Sequence, residues 1–379
     1  MSTCPLCNSH AFQVVELGKY HHPDTPAYQL CKQCGLVQHR QVLSPAAMAA
    51  FYEGDYVDEY IETEYTQAKI YVPYLEHLEN EGWLAAGDRV LDVGCAKGDF
   101  LRLLKDRGYD CMGVEPSHAM VEHARKKGLN VLCDSLESLS DEQKFDCIFL
   151  NHVLEHFVDP LNALLKVKDL LVTDGTILIC VPTFAAAQPA SPFKFIHPYV
   201  FGETSLKNLA IHAGCVIKKI QCIGSNIHAV LQIGNNLEHE GIACDSASEF
   251  EKIYSFITRR EQMLDAICDK IAKWKQDTKV VIYGAGALSN FLLKETCLAA
   301  YNIVGIVDSD EKKHGKKFWK DLSILPPSYF HNLDYDLVVI ASYVFAEEIV
   351  NTLRQLGVKE EQILTINEFA TQNQPCSGR

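Results

Sequence analysis

The stretch Arg89-Val-Leu-Asp-Val-Gly-Cys-Ala-Lys-Gly-Asp-Phe100 constrains the fold more than any other part of the chain. Val90, Leu91 and Val93 read as a strand buried in a sheet. Asp92 lies near its carboxyl end. Gly94, Ala96 and Gly98 make a turn of small residues. Phe100, Leu101, Leu103 and Leu104 then form a helical stripe that stops at Gly108. A strand, a small-residue turn and a helix in that order bring backbone N–H groups close to a ligand in α/β sheets. Missing Cβ atoms let the ligand lie against the chain.

A dinucleotide fingerprint requires G-x-G-x-x-G. Here the spacing is G-x-A-x-G, and the place of the third glycine is taken by Asp99. That disfavours a nicotinamide site. The stretch instead resembles the first motif of class I S-adenosylmethionine (SAM) methyltransferases, D-x-G-x-G-x-G, with Ala96 for the middle glycine. The resemblance implies an α/β fold with a central doubly wound sheet, and SAM as cofactor.

Strands and helices alternate from 88 to 240 as such a sheet requires. Expected strands are 89–94, 110–115, 130–134, 145–150 and 176–181, and Ser117 is expected to cap the helix after the second. Glu115 ends the second strand, about 20 residues past the turn, where a carboxylate can accept both ribose hydroxyls. Asp134 ends the third, where an acid can accept the adenine amino group, or is a plain turn residue. Asp92 is expected to order the turn and the methionyl ammonium. With Gly94, Ala96, Gly98 and Asn151, which follows the fourth strand, these are the expected cofactor residues.

The flanks differ in character. Cys4-Pro-Leu-Cys7 and Cys31-Lys-Gln-Cys34 are two C-x-x-C knuckles within residues 1–44. Four thiolates suit tetrahedral zinc held as a folding clamp; a disulfide or redox pair is the alternative. Residues 45–87 read as a helical, tyrosine-rich lid or linker. Tyr52, Tyr56 and Tyr60 share a face there, either for packing or to bring a phenol to substrate. Residues 245–276 read as a long amphipathic connecting helix. A second, Rossmann-like α/β domain is expected over 278–368, from the Tyr283-Gly-Ala-Gly286 turn and a strand ending in Asp308. It could hold a nucleotide moiety or be a packing duplicate. The basic turn 312–317 could meet a diphosphate or lie in solvent. Residues 371–379 read as a disordered tail.

Length alone points to two or three domains in 379 residues. A formal net charge of −14 argues against nucleic acid and anionic membranes as partners. No apolar run approaches the roughly 20 residues of a membrane span, and the first residues do not read as a signal peptide. Fifteen cysteines, mostly single and within apolar strands, suit a reducing cytoplasm.

Taken together, the cysteine knuckles with Cys34-Gly-Leu-Val-Gln38, the central SAM motif and the C-terminal segments Val307-Asp-Ser-Asp-Glu-Lys-Lys-His-Gly315 and Ile324-Leu-Pro-Pro327 resemble bacterial zinc-containing sugar C-methyltransferases. Those enzymes act on nucleotide-linked deoxysugars. The resemblance implies a histidine after the fourth strand, which falls on His156. It implies a Glu-His pair after the fifth, which falls on Ile196-His197, and a tyrosine two residues earlier, which falls on Lys194. An active-site tyrosine before the SAM fold falls near Tyr56. The expected activity is methyl transfer to a sugar, with His197 as first choice for general base, His156 as second and Tyr56 as a further catalytic residue. A hydroxyl acceptor would give O-methylation and a ketosugar C-methylation; another small-molecule acceptor is also open. Two rival readings are an NAD-dependent sugar-nucleotide oxidoreductase using Gly284–Asp308, and a non-catalytic assembly protein.

Overall fold

A computed structural model of the chain describes residues 3–21, 25–41, 48, 67–184, 191–234, 246–342 and 345–366. The tyrosines Tyr52, Tyr56 and Tyr60, and the tail 371–379, lie outside the described residues. Two compact units result. The first comprises 1–16, 24–185 and 192–254, the second 17–23, 186–191 and 255–379.

In the first unit, β1 (Phe12–Val15), β2 (Tyr28–Cys31) and β3 (Val37–His39) form an antiparallel meander beside the cysteine knuckles. The central sheet uses β4 (Arg89–Val93), β5 (Asp110–Glu115), β6 (Val131–Cys133), β7 (Phe145–Asn151) and β8 (Leu171–Pro182). Next comes β9 (Tyr199–Val200), a two-residue strand that joins β3 and not the central sheet. Then β10 (Cys215–Ile223) and β11 (Asn226–Ile233) close the domain as an antiparallel pair. The central order is β10-β11-β8-β7-β4-β5-β6, with β4 to β8 parallel. Strand order therefore reverses between β4 and β7, and the crevice outside their carboxyl ends is where such sheets bind ligands.

The sheet is covered on both sides, and its side chains alternate between two cores with period two. Leu91, Val93, Ile148, Leu150, Ile177 and Ile179 enter one apolar cluster. Val90, Cys147, Phe149 and Leu178 enter the other, with Phe100 and Leu104 from the helix Asp99–Asp106. This explains why the strands read as continuous apolar runs. The lid region is helical over Gln67–Asn80. Its Tyr71 and Tyr74 pack near Phe100, with ring centroids 5.0 and 6.4 Å away, so both are packing residues.

The second unit holds a six-stranded sheet. It contains β12 (Lys279–Tyr283), β13 (Asn302–Val307), β14 (Lys317–Trp319), β15 (Leu322–Leu325), β16 (Leu337–Ile340) and β17 (Ile363–Thr365). The order is β14-β15-β13-β12-β16-β17, parallel except at β14. The helix Ser246–Ile271 leads into it. Residues around Tyr20 belong to this unit as well: the Tyr20 hydroxyl donates to Asp265 Oδ1 at 2.7 Å.

Gly98 shows how tightly the first turn is packed. Its φ is +78°, and a Cβ there would stand 2.4 Å from Leu129 Cδ1 and 3.2 Å from Ala124 Cβ. Gly98→Ala adds left-handed strain to overpacking, so we expect it to lose about 2 kcal/mol or more of stability, read as a lowered thermal midpoint.

Candidate active site

The turn after β4 is pinned from below by a buried carboxylate. Glu115, at the end of β5, accepts from Ala96 N through Oε2 at 3.0 Å and from Ser117 N through Oε1 at 2.9 Å. Burial raises its pKa, and these two N–H donors oppose the rise. Ala96 itself is left-handed, with φ +47°. It occupies a conformation that costs an L-residue roughly 1–2 kcal/mol. Ser117 stands at the start of the helix His118–Lys126, yet its side chain makes no capping bond there. The expected side-chain cap is thus not formed, and the Ser117 N–H is itself taken up by the adjacent Glu115 carboxylate.

Asp92 is buried at the end of β4. Burial, then the charge of Glu115, push its pKa up to about 8. Asp134 is exposed and accepts from Ser135 N at 2.8 Å. Asn151, at the end of β7, has an Nδ2 that is enclosed and makes no hydrogen bond among the described residues. Gly94, with φ +66°, lies directly against the loop after β7: a Cβ on it would meet Val153 Cγ2 at 2.7 Å.

That loop carries the second half of the site. His152, Glu155 and His156 follow β7, the last two on the single turn Leu154–His156. His197 arrives from the segment before β9. The rings of His156 and His197 meet edge to face, centroids 4.9 Å apart and planes at 90°. Glu155, almost wholly buried, places Oε1 3.7 Å from His156 Nε2 and 3.6 Å from His152 Nδ1. His197 Nδ1 lies 2.7 Å from the Pro192 carbonyl, so the ring donates there and keeps a lone pair on Nε2. Burial lowers the pKa of His156, and burial with His156 beside it lowers that of His197, so both imidazoles are neutral at pH 7. Behind them Cys180 Sγ sits 3.6 Å from His152 Nε2 and 3.8 Å from His228 Nε2. Burial would raise this thiol, but the two histidines outweigh it and bring it to about 7.

The two histidines expected from the sequence therefore come together, although 41 residues apart in number, and Glu155 joins them. Sequence reasoning missed Glu155 and His152. The signal was present in Asn151-His-Val-Leu-Glu-His156, where three titratable groups crowd the residues that follow a strand end. Tyr56 lies outside the described residues.

The four knuckle cysteines also converge. Cys4 Sγ is 3.5 Å from Cys34 Sγ, and Cys7 Sγ is 3.5 Å from Cys31 Sγ. All four sulfurs lie within 4.8 Å of one another. A tetrahedron with metal–sulfur bonds of about 2.3 Å has edges of about 3.8 Å, so the donor set fits zinc. In both knuckles the residue after the second cysteine donates back to the first: Asn8 N to Cys4 O at 2.9 Å, and Gly35 N to Cys31 O at 3.0 Å. His39, near in sequence, is bonded through Nε2 to the Tyr28 hydroxyl at 2.9 Å.

In the second unit, Asp308 follows β13. Its Oδ2 accepts from Ala285 N at 2.7 Å and from Lys313 Nζ at 3.0 Å, and its Oδ1 from Asp310 N at 2.9 Å. The basic turn is thus partly folded onto the strand end, since His314 Nε2 also bonds the Asp308 carbonyl at 2.8 Å.

Comparison with known proteins places these features. The model of a methyltransferase domain family matches residues 65–220. The model of a family described as C2185-like, N-terminal, matches 276–364. A tRNA U34 carboxymethyltransferase of Vibrio vulnificus (strain YJ016) is 32% identical over 117 residues, which are 28% of this chain and 34% of that protein. A ubiquinone biosynthesis O-methyltransferase of Methylococcus capsulatus is 33% identical over 100 residues, 24% of this chain and 42% of that protein. The chain spans between a third and a half of the length of these curated relatives. Among solved structures, the 1,6-didemethyltoxoflavin-N1-methyltransferase of Burkholderia thailandensis aligns with a TM-score of 0.42 at 17% identity, over 57% of this chain and all of that one. The central domain has the class I SAM-dependent methyltransferase fold.

Asp92 gives the site a pH signature. Its pKa in the folded chain, about 8, lies above the ordinary carboxylate range. Its contribution to stability is therefore complete below about pH 4 and is lost as pH rises through about 8. Asp92→Asn should unfold at higher denaturant than the wild type at pH 8 and at nearly the same denaturant at pH 4. Equilibrium unfolding of the ligand-free protein at the two pH values checks this.

Proposed function

We propose that the chain transfers the methyl group of SAM to an oxygen or a nucleophilic carbon of a sugar carried on a nucleotide. The observation that carries the reading is the meeting of Glu155, His156 and His197 beside the glycine turn, where Val153 touches Gly94. Methyl transfer from a sulfonium asks little of the donor. The enzyme must hold the acceptor in line with the methyl group and take up its proton where the acceptor requires it. In this reading Asp92, Gly94, Ala96, Gly98, Glu115, Asp134 and Asn151 hold SAM. Asp92 faces the ammonium and Glu115 the ribose. The acceptor's proton leaves through the histidine cluster, with His197 or His156 as base. The family pattern has a glutamate where this chain has Ile196, and Glu155 supplies a carboxylate to the same histidines from another loop.

Zinc on Cys4, Cys7, Cys31 and Cys34 would be structural, since four thiolates leave no open position. The C-terminal unit would contribute to acceptor binding. The sugar reading rests on the three-part resemblance along the chain. A net charge of −14 speaks against a polyanion such as tRNA as acceptor. Free thiols at all described cysteines suit the cytoplasm, and among the described residues no helix is long and apolar enough to cross a membrane.

Glu115→Ala should weaken SAM binding by about 1–3 kcal/mol, measured by calorimetry, as for hydrogen bonds lost to a charged group. His197→Asn should leave that affinity intact and lower kcat by about 10²–10⁴. Near-normal turnover in both His197→Asn and His156→Asn would remove the cluster from the chemistry. Cys31→Ser should lose zinc, by metal analysis, and melt at a lower temperature.

A further inference from the structure

Glu155 poses a problem that methyl transfer alone does not answer. Its carboxylate is almost completely enclosed, and neither oxygen accepts a hydrogen bond among the described residues. The nitrogens that approach Oε1, His152 Nδ1 and His156 Nε2, stop at 3.6 and 3.7 Å. A buried carboxylate without hydrogen bonds is costly unless a cation sits against it. Burial would lower the His152 pKa, but Cys180 and Glu155 raise it to about 10, so an imidazolium already stands 3.6 Å from Oε1, while Oε2 keeps no hydrogen-bond partner among the described residues. Two other features point to what could meet that second oxygen. One donor atom each from Glu155, His156 and His197 lies within 4.8 Å of the others. His197 also gives its Nδ1 proton to the Pro192 carbonyl at 2.7 Å, which fixes the tautomer with a lone pair on Nε2. A second ring nitrogen tied to a backbone carbonyl is the usual support of a metal-binding histidine.

We propose that Glu155, His156 and His197 bind one divalent first-row transition-metal ion, separate from the four-cysteine cluster. Two imidazoles and a carboxylate are the donor set of open catalytic zinc sites and of non-haem iron sites. Three protein ligands leave a coordination position free. The loop that carries Glu155 and His156 packs against Gly94 through Val153, so that position is the one an acceptor hydroxyl or ketone oxygen would take. The inference deepens the methyl-transfer reading and rests on it only for the identity of that fourth ligand. With the ion bound, His156 and His197 would be its ligands in place of the base role, and the acceptor oxygen would be oriented by coordination or acidified, its proton passing to water.

The test is a cobalt(II) titration of the full-length protein, purified without added metal and followed by visible absorption and metal analysis. Cobalt among thiolates gives intense sulfur-to-metal charge-transfer bands. Cobalt on two imidazoles and a carboxylate gives weak ligand-field bands alone. We expect one equivalent of the second kind, or, where the purified protein already carries it, a second metal per chain beyond that on the cysteines. Glu155→Gln, close in size and shape, should weaken this equivalent by about tenfold or more and leave the thiolate-bound metal unchanged. X-ray absorption on the wild type, showing imidazole scattering around the metal not bound to sulfur, gives the same answer without any variant. Saturation at the cysteine site alone, or a second equivalent that Glu155→Gln binds as tightly as the wild type, overturns the proposal. A parallel SAM titration separates the two readings: failure to bind SAM sinks methyl transfer and leaves the metal result standing, and the reverse holds equally.

Discussion

One hydroxyl ties the cysteine module to the histidine cluster. Tyr28, in the middle of the N-terminal meander, is fully buried, and its oxygen lies 2.7 Å from both the Lys194 and His197 carbonyls. It also accepts from Lys194 N at 3.1 Å and is bonded to His39 Nε2 at 2.9 Å. The first N–H and the first and last carbonyls of the turn Lys194–His197 are thereby held by β2. The backbone pairing of β3 with β9, just beyond His197, fixes the other side. The four-cysteine cluster closes the meander at its ends, and Asn208 Nδ2 adds a bond to the Cys34 carbonyl at 3.0 Å. A small module with too little core to fold alone is therefore placed where its rigidity sets an imidazole. This gives a physical reason for a four-cysteine cluster far in sequence from the glycine turn.

The same logic explains the glycine turn. Glu115 spends one oxygen on Ala96 N and the other on Ser117 N. Each oxygen keeps a second lone pair. The carboxylate can thus shape the turn and still accept from a ligand. Its burial beside Asp92 keeps two acids close together, which disfavours ionising both. A cationic ligand group near Asp92 relieves that conflict, and an empty site retains it.

Much of this was legible in the sequence because it is local. The run Val90 to Val93 with its small-residue turn announced both strand and crevice, and the C-x-x-C spacing announced the converging thiols. The partners of His197 were harder to read because they come from sheet order. β7 and β8 are neighbours, so the loops at their carboxyl ends meet, and nothing in the residues around 197 names Glu155 as the result. Tyr28 was hidden for the same reason: a buried tyrosine in a short strand reads as core, and only its oxygen's partners give it a task. The strand at Tyr199–Val200 is too short for any periodicity. The stretch 1–44 reads as one cysteine module, yet Tyr20 within it is bonded to Asp265 in the second unit.

The second unit repeats the device of the first with one change. Gly94 N bonds the Val114 carbonyl at 2.8 Å, and Gly284 N bonds Val307 at 2.7 Å. In each sheet the acid near the end of the next strand accepts from the turn: Ala96 N to Glu115, Ala285 N to Asp308. At Asp308 a cation is added, for Lys313 bonds both the carboxylate and the Ala285 carbonyl at 3.0 Å. A carboxylate already paired with an ammonium gains less from a neutral diol than a free one does. The acid that would read a ribose in a nicotinamide enzyme is thus partly neutralised from within. Glu115 keeps a lone pair on each oxygen, whereas Asp308 has both lone pairs of Oδ2 taken and one left on Oδ1, so the two turns, alike in shape, differ in the charge and the acceptors they present.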